Sequence, residues 1–128
     1  MSTWADLSLD SIAAAKTMHP QGRYRSCISR CYYAAFSAAT EELAKVKNIR
    51  FEYGRDHPTH RQLPGLARRH LVGRLRSWDL PRLVSALRRL YAARIDADYV
   101  RSATIDEELV RNILRDAHTV LRALGAIT

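Results

Sequence analysis

The sequence is poor in the residues that interrupt helices or build sheets. Its 128 residues include only five glycines and four prolines, and it has no run of β-branched residues. Glycine and proline disfavour helix interiors, whereas β-branched runs favour strands. The spacing of the apolar residues is helical throughout. Together these features predict an all-α fold.

Long apolar runs and cysteines are also scarce. No run approaches the roughly 20 apolar residues that a membrane-spanning helix needs, and the first ten residues, MSTWADLSLD, lack the features of a secretory signal. The two cysteines, Cys27 and Cys31, lie four residues apart in a helical pattern and are expected to be small buried side chains in a reducing compartment. We therefore expect a cytoplasmic protein with no membrane association.

Apolar spacing predicts about five helices. They cover residues 8–18, 24–47, a segment from about 59, 80–94, and a segment from about 106 to 124. In the first helix, Leu9, Ile12 and Ala13 are expected to face inward. The second contains ISRCYYAAFSAATEEL, which is apolar on nearly all sides and is typical of a helix surrounded by others. Residues 1–128 are thus predicted to form one domain, a four- to five-helix up-down bundle.

A polar stretch, YGRDHPTHRQL at residues 53–63, raises the question of a metal or catalytic site. His57 and His60 are three apart, but the proline between them opposes a regular turn, and no third ligand is near, so no metal is predicted. Thr59 and Gln62 have the spacing of a capping box. No glycine-rich phosphate loop occurs either, and no cofactor is predicted. The stretch is interpreted as a polar loop and a helix start, and its histidines remain functional candidates.

Positive charge is concentrated in the middle of the chain. From Arg61 to Arg94 there are nine arginines and one acid, whereas residues 96–116 hold six acids and three arginines. Such a block is typical either of a phosphate-binding face or of a solvated helix surface, and both readings stay open. The candidates for RNA binding are Arg61, Arg68, Arg69, Arg88 and Arg89.

One arginine, Arg30, lies within the most apolar helix. Burying a cation is unfavourable unless an acid pairs with it. Asp98 is the predicted partner, so that Arg30 and Asp98 would form a structural polar network. The alternative is that Arg30 extends to solvent at the edge of the bundle.

Three segments carry a resemblance to a known family: SRCYYAAFSAATEEL, THRQLPGLARRHLV and RIDADY. They resemble the HEPN superfamily, particularly its small stand-alone branch in bacteria and archaea, and the resemblance covers about residues 8–125. It implies a four- or five-helix bundle that pairs as a homodimer. Many such proteins are metal-independent ribonucleases of toxin–antitoxin modules or defence systems, and others bind a nucleotidyltransferase encoded beside them.

The resemblance also implies where a catalytic site would lie. Active members carry Arg, four to six residues, then His, in the segment that corresponds here to Arg94 through Tyr99. Asp98 stands in place of that His, although only three residues separate it from Arg94, and Ile95 stands where they commonly have Asn. An ionised aspartate is a poor proton donor and repels phosphate. Asp98 is therefore expected to hold Arg30 or Arg94, and a displaced site would use Arg94, His60 and Tyr99.

Two functions remain open on this basis. One is an RNA-associated protein of a toxin–antitoxin or defence module that acts as a metal-independent endoribonuclease. The other is a non-catalytic interaction module that binds a nucleotidyltransferase or an antitoxin. A third reading is a sequence-independent nucleic-acid binder without chemistry.

Overall fold

A computed structural model describes residues 2–128 and contains no strand in that range. The helices are α1 (Trp4–Met18), α2 (Tyr24–Ala44), α3 (Leu63–His70), α4 (Asp79–Tyr99) and α5 (Glu107–Ala123). A short 3-10 turn, Glu52–Gly54, lies between α2 and α3. The predicted all-α, five-helix fold is confirmed. None of the helices in residues 2–128 is long and apolar enough to cross a membrane.

Helix α1 begins four residues before the predicted Ser8, because Thr3 and Asp6 form a capping box. The Thr3 hydroxyl accepts from the Asp6 N–H and the Asp6 carboxylate accepts from the Thr3 N–H, both at 3.0 Å. These two bonds satisfy N–H groups that the first turn of a helix leaves without partners.

The inward face of α1 is lined by small residues. Ser8 is fully buried and donates its hydroxyl to the Ala34 carbonyl of α2 at 2.7 Å. Of the residues expected inside, Ile12 is buried, but Ala13 is exposed and Leu9 is 47% exposed. The buried residues of α1 are three or four positions apart, at 8, 11, 12 and 15, so this register of the helix turns Leu9 and Ala13 away from α2. Buried Ser8, Ser11 and Ala15 of α1 form a seam of small residues, together with Cys27, Cys31 and Ala34 of α2.

Helix α2 is the centre of the bundle, as predicted. Every residue from Ala34 to Thr40 is buried, and α2 packs against each of the other four helices. Its core partners are mainly leucines and other aliphatic residues of α4 and α5: Leu83, Leu87, Leu90, Val110, Ile113, Ala117 and Leu121. The helix ends at Ala44, three residues before the predicted Lys47.

Helix α4 continues five residues past its predicted end at Arg94, so the whole RIDADY segment is helical. The guanidinium of Arg25, at the start of α2, holds this end. It donates to the carbonyls of Asp96, Ala97, Val100, Arg101 and Ala103 at 3.0–3.3 Å. A cation at a helix C-terminus satisfies unpaired carbonyls and opposes the negative end of the helix dipole.

The start of α3 also differs from its prediction. The Thr59 hydroxyl accepts from the Gln62 N–H at 3.3 Å, and the Gln62 amide oxygen accepts from the Thr59 N–H at 3.5 Å. These bonds close a turn, and α3 begins only at Leu63, with Pro64 in its first turn. Helix α5 begins as expected, because Asp106 caps it by accepting from the Leu109 N–H.

Candidate functional site

Arg94 lies on the face of α4 that packs against α2, and it is only 9% exposed. Its Nε donates to Asp98 at 3.0 Å, and its Nη2 donates to the hydroxyls of Tyr33 at 2.9 Å and Tyr99 at 3.3 Å. The guanidinium also lies 5.2 Å from the ring centre of Tyr99 and 5.5 Å from that of Tyr33. We call these four residues the Arg94 cluster. Its arginine is held rigidly and is neutralised by Asp98.

The predicted ion pair between Arg30 and Asp98 is not formed. Asp98 accepts from Arg94 and, at 3.4 Å, from the Ser29 hydroxyl. The Arg30 guanidinium instead lies 5.1 Å from the ring centre of Tyr33, and it has no ion-pair partner within residues 2–128. The prediction that Arg30 pairs with Asp98 was therefore wrong, because Asp98 lies one helical turn from Arg94 on the same helix and pairs with it instead.

His60 is bonded to a buried tyrosine of α2. Its Nδ1 lies 2.7 Å from the hydroxyl of Tyr32, which is 1% exposed. Burial raises the pKa of Tyr32, so the phenol keeps its proton. The hydroxyl has no other hydrogen-bond acceptor in the described chain, so it donates to Nδ1. Neutral His60 must then carry its own proton on Nε2.

The surroundings of His60 also keep its ring neutral. Burial is the largest cause that lowers the pKa of His60 below its ordinary 6.5, and the charges of Arg94 and His57 act in the same direction. The ring is enclosed by aromatic side chains, with its centre 4.8 Å from that of Phe36. A neutral imidazole with a proton on Nε2 can donate a hydrogen bond to an oxygen of a bound molecule.

His60 lines an open cleft of about 320 Å³ between α1, α2 and the loop before α3. We call it the His60 cleft. Its aromatic walls are Trp4, Tyr33 and Phe36, and its polar groups belong to Ser11, Arg30, Ser37, His57 and His60. Apolar walls with a few converging polar groups are typical of ligand sites.

The residues predicted as catalytic are divided between two places. His60 lines the cleft, whereas Arg94 and Tyr99 do not. Tyr33 connects the two, because its ring borders the cleft and its hydroxyl binds Arg94. The cation that shares the cleft with His60 is Arg30, which the sequence had indicated only as a structural residue.

Four of the five predicted RNA-binding arginines are exposed and lack an ion pair within residues 2–128. They are Arg61, Arg68, Arg69 and Arg88. Arg89 does not fit the prediction, because its Nε and Nη2 donate to both carboxylate oxygens of Asp116 at 2.9 Å. This two-bond pair occupies the guanidinium edge that would otherwise bind a phosphate.

Sequence reasoning missed Arg25 and Trp4. Arg25 acts on backbone carbonyls, which every sequence position has, so no residue pattern could have indicated its partners. Trp4 lies in the first turn of α1, and its distance of 5.7 Å from the ring of His57 depends on how α1 packs.

The part of the chain that the structure describes holds no group of three or more His, Cys, Asp or Glu side chains arranged for a metal ion. A comparison with curated proteins finds no match. The model of the HEPN domain family matches residues 1–127. Because that match spans nearly the whole of a 128-residue chain with five packed helices, the chain belongs to the HEPN domain family.

Proposed function

We propose that this HEPN protein is a cytoplasmic member of a prokaryotic toxin–antitoxin or defence module and that it cleaves RNA without a metal ion. Family membership supports a nuclease, RNA-related or interaction role in general terms. The observation that carries the narrower proposal is the His60 cleft, where an imidazole and the guanidinium of Arg30, which has no ion pair in the described chain, line one aromatic pocket.

The cleft residues suit RNA cleavage by the neighbouring 2′-hydroxyl. Arg30 binds the scissile phosphate and stabilises the charge that develops on it. In protonated His60 the Tyr32 hydroxyl turns to accept from Nδ1–H. As the 2′-oxygen bonds to phosphorus and the bond to the 5′-oxygen breaks, this form gives its Nε2 proton to the leaving oxygen. The 2′-hydroxyl proton passes to water. The lowered pKa makes the protonated form of His60 a stronger acid but a minor one at neutral pH.

In this proposal Arg94 is a positioning residue. It fixes the Tyr33 hydroxyl, and the Tyr33 ring lies beneath Arg30. Tyr99 is 69% exposed although its hydroxyl binds Arg94, so its ring is accessible to RNA or to a second copy of the chain. The homodimer implied by the family would bring two such sites together.

Incubation with tRNA and mRNA in EDTA tests the enzymatic proposal. Wild type and a His70→Gln control should cleave RNA, whereas His60→Gln should lose at least about 100-fold in rate, as expected on removal of a proton donor. His70 is a suitable control because it lies at the end of α3, outside the cleft. Cleavage by wild type should be faster at pH 5.5 than at pH 7.5. Intact RNA with micromolar wild type would exclude the activity.

One observation favours the non-catalytic alternative. Asp98 neutralises Arg94 in the segment where active relatives have an imidazole. In that case the domain would bind a partner, such as a nucleotidyltransferase or an antitoxin encoded beside it. Stable co-purification with the product of the adjacent gene, combined with intact RNA, would support this function over the first.

The homodimer has its own test. Sedimentation at micromolar concentration should give a particle of twice the 14.6 kDa chain mass. A 14.6 kDa particle over the whole concentration range would rule out the homodimer.

A further inference from the structure

Four arginines border one cavity at the opposite end of α4 from the Arg94 cluster. The cavity has a volume of about 520 Å³ and is bordered by the loop between α3 and α4, the first turn of α4 and the last turns of α5. Its arginines are Arg74 and Arg76 of the loop, Arg82 of α4 and Arg122 of α5. None of them was among the predicted RNA-binding residues.

The charge in this cavity is not balanced within the protein. The only acid that lines it is Asp79, so four positive groups face one negative group. None of the four arginines takes part in an ion pair within residues 2–128. Like charges in one cavity repel each other, and a bound anion would remove that cost. Arg89 is the contrasting example, because its guanidinium already forms an ion pair with Asp116.

An exposed tryptophan adjoins the same loop. Trp78 is 56% exposed, which is unusual for so large an apolar side chain, and the Arg76 guanidinium lies 5.7 Å from its ring centre. Single-stranded nucleic acids bind where cations that contact the backbone lie beside an aromatic ring on which a base can stack. A folded acidic protein surface would match the charge but would give Trp78 no comparable partner.

We propose that this cavity and Trp78 form a second RNA-binding site, in which the four arginines contact phosphates of a single strand and Trp78 stacks on an unpaired base. The proposal rests on the RNA association proposed above and adds where the strand is held. Arg82 and Arg94 are twelve residues apart on α4, which corresponds to about 18 Å at the rise of an α-helix. The cavity and the His60 cleft share no lining residue, so the site binds a different part of the strand from the cleft.

Binding of a fluorescein-labelled, single-stranded 2′-O-methyl oligonucleotide tests this site apart from catalysis, because that probe lacks the nucleophile for cleavage. Anisotropy titrations compare wild type with Arg82→Gln/Arg122→Gln. The control is Arg111→Gln/Arg115→Gln, which removes the same charge from exposed positions of α5. Circular dichroism melts establish that each variant is folded.

Wild type should bind, and Arg82→Gln/Arg122→Gln should bind about tenfold more weakly at low salt than the control. Each single-strand phosphate contact contributes about 0.7 to the slope of log affinity against log salt, so that slope should fall by about 1.4. Trp78→Ala should weaken binding about tenfold through lost stacking and leave the slope unchanged. In a Trp4→Phe background, Trp78 is the only tryptophan, and its fluorescence should be quenched as the oligonucleotide binds.

Three outcomes would overturn the proposal, and they separate it from the proposed function. Equal affinity and slope for Arg82→Gln/Arg122→Gln and its control would remove this site alone, and RNA cleavage by the His60 cleft would stand. Equal displacement of the probe by polyglutamate of the same charge would assign the cavity to an acidic protein segment. Absence of binding by wild type would remove both the site and the RNA association.

Discussion

Arg25→Met tests how the end of α4 is held. The substitution keeps an unbranched side chain but removes the donors to five carbonyls. Two of these bonds are exposed, and water replaces them at little cost. Three are partly buried and share one guanidinium, so their effects do not add fully. With about 1.5–3 kcal/mol for a hydrogen bond to a charged group, we expect a loss of about 3 kcal/mol in unfolding free energy.

Thermal and urea unfolding, followed by circular dichroism, measure this loss. An unfolding entropy of about 2.1 cal/mol/K per residue over 128 residues converts about 3 kcal/mol into a decrease in Tm of roughly 11 °C. Arg23→Met is the matched control, because Arg23 is exposed and makes no side-chain capping bond. The Tm of Arg25→Lys should lie between those of Arg25→Met and Arg23→Met, since lysine keeps the charge but lacks the planar set of guanidinium donors. A difference below about 0.5 kcal/mol between Arg25→Met and Arg23→Met would contradict the reasoning.

Three further predictions concern stability. Arg94→Met should lower the unfolding free energy by about 2 kcal/mol, because it leaves a carboxylate and two phenols without their partner. Arg30→Met should change the unfolding free energy by less than about 0.5 kcal/mol. Similar values for the two variants in urea unfolding would contradict the assigned contacts. The folded-state pKa of His60 is lowered, so the unfolded chain binds more protons below pH 6.5. The unfolding free energy of wild type should therefore fall from pH 7.5 to 5.5, and that of His60→Gln should fall less. An equal change with pH in the two proteins would argue against a buried neutral ring. Ser8→Ala should lower unfolding free energy by about 1 kcal/mol through loss of the bond to the Ala34 carbonyl, and no change would show that this bond contributes nothing net.

The parts of the fold that local patterns determine were predictable from the sequence. The apolar character of α2 indicated that it is central, and Asp106 marked the start of α5. Errors arose where a distant group decided the outcome. Helix α4 runs to Tyr99 with a guanidinium from α2 at its end, and Leu9 is exposed because α1 packs on α2 in a register that buries Ser8, Ile12 and Ala15.

The contacts among the candidate site residues were only partly predictable from the sequence. His60, Arg94 and Asp98 were identified from the motif segments, and Asp98 does hold Arg94. Which of Arg30 and Arg94 would share a cleft with His60 depends on the position of Tyr33 between them. Three arginines of the other cavity, Arg74, Arg76 and Arg82, lie in the basic block that the sequence shows, but the fourth, Arg122, comes from α5, and only the packing of α5 against α4 brings it to them.

The seam of small residues between α1 and α2 makes the two cysteines internal reporters of local opening. Cys27 and Cys31 are both fully buried there, and the Cys27 thiol donates to the Ala15 carbonyl of α1. A thiol reagent can reach either sulfur only when the packing around α2 opens, and separation of α1 exposes Cys27. The alkylation rate of the native protein therefore reports on such opening, without any label added to the chain.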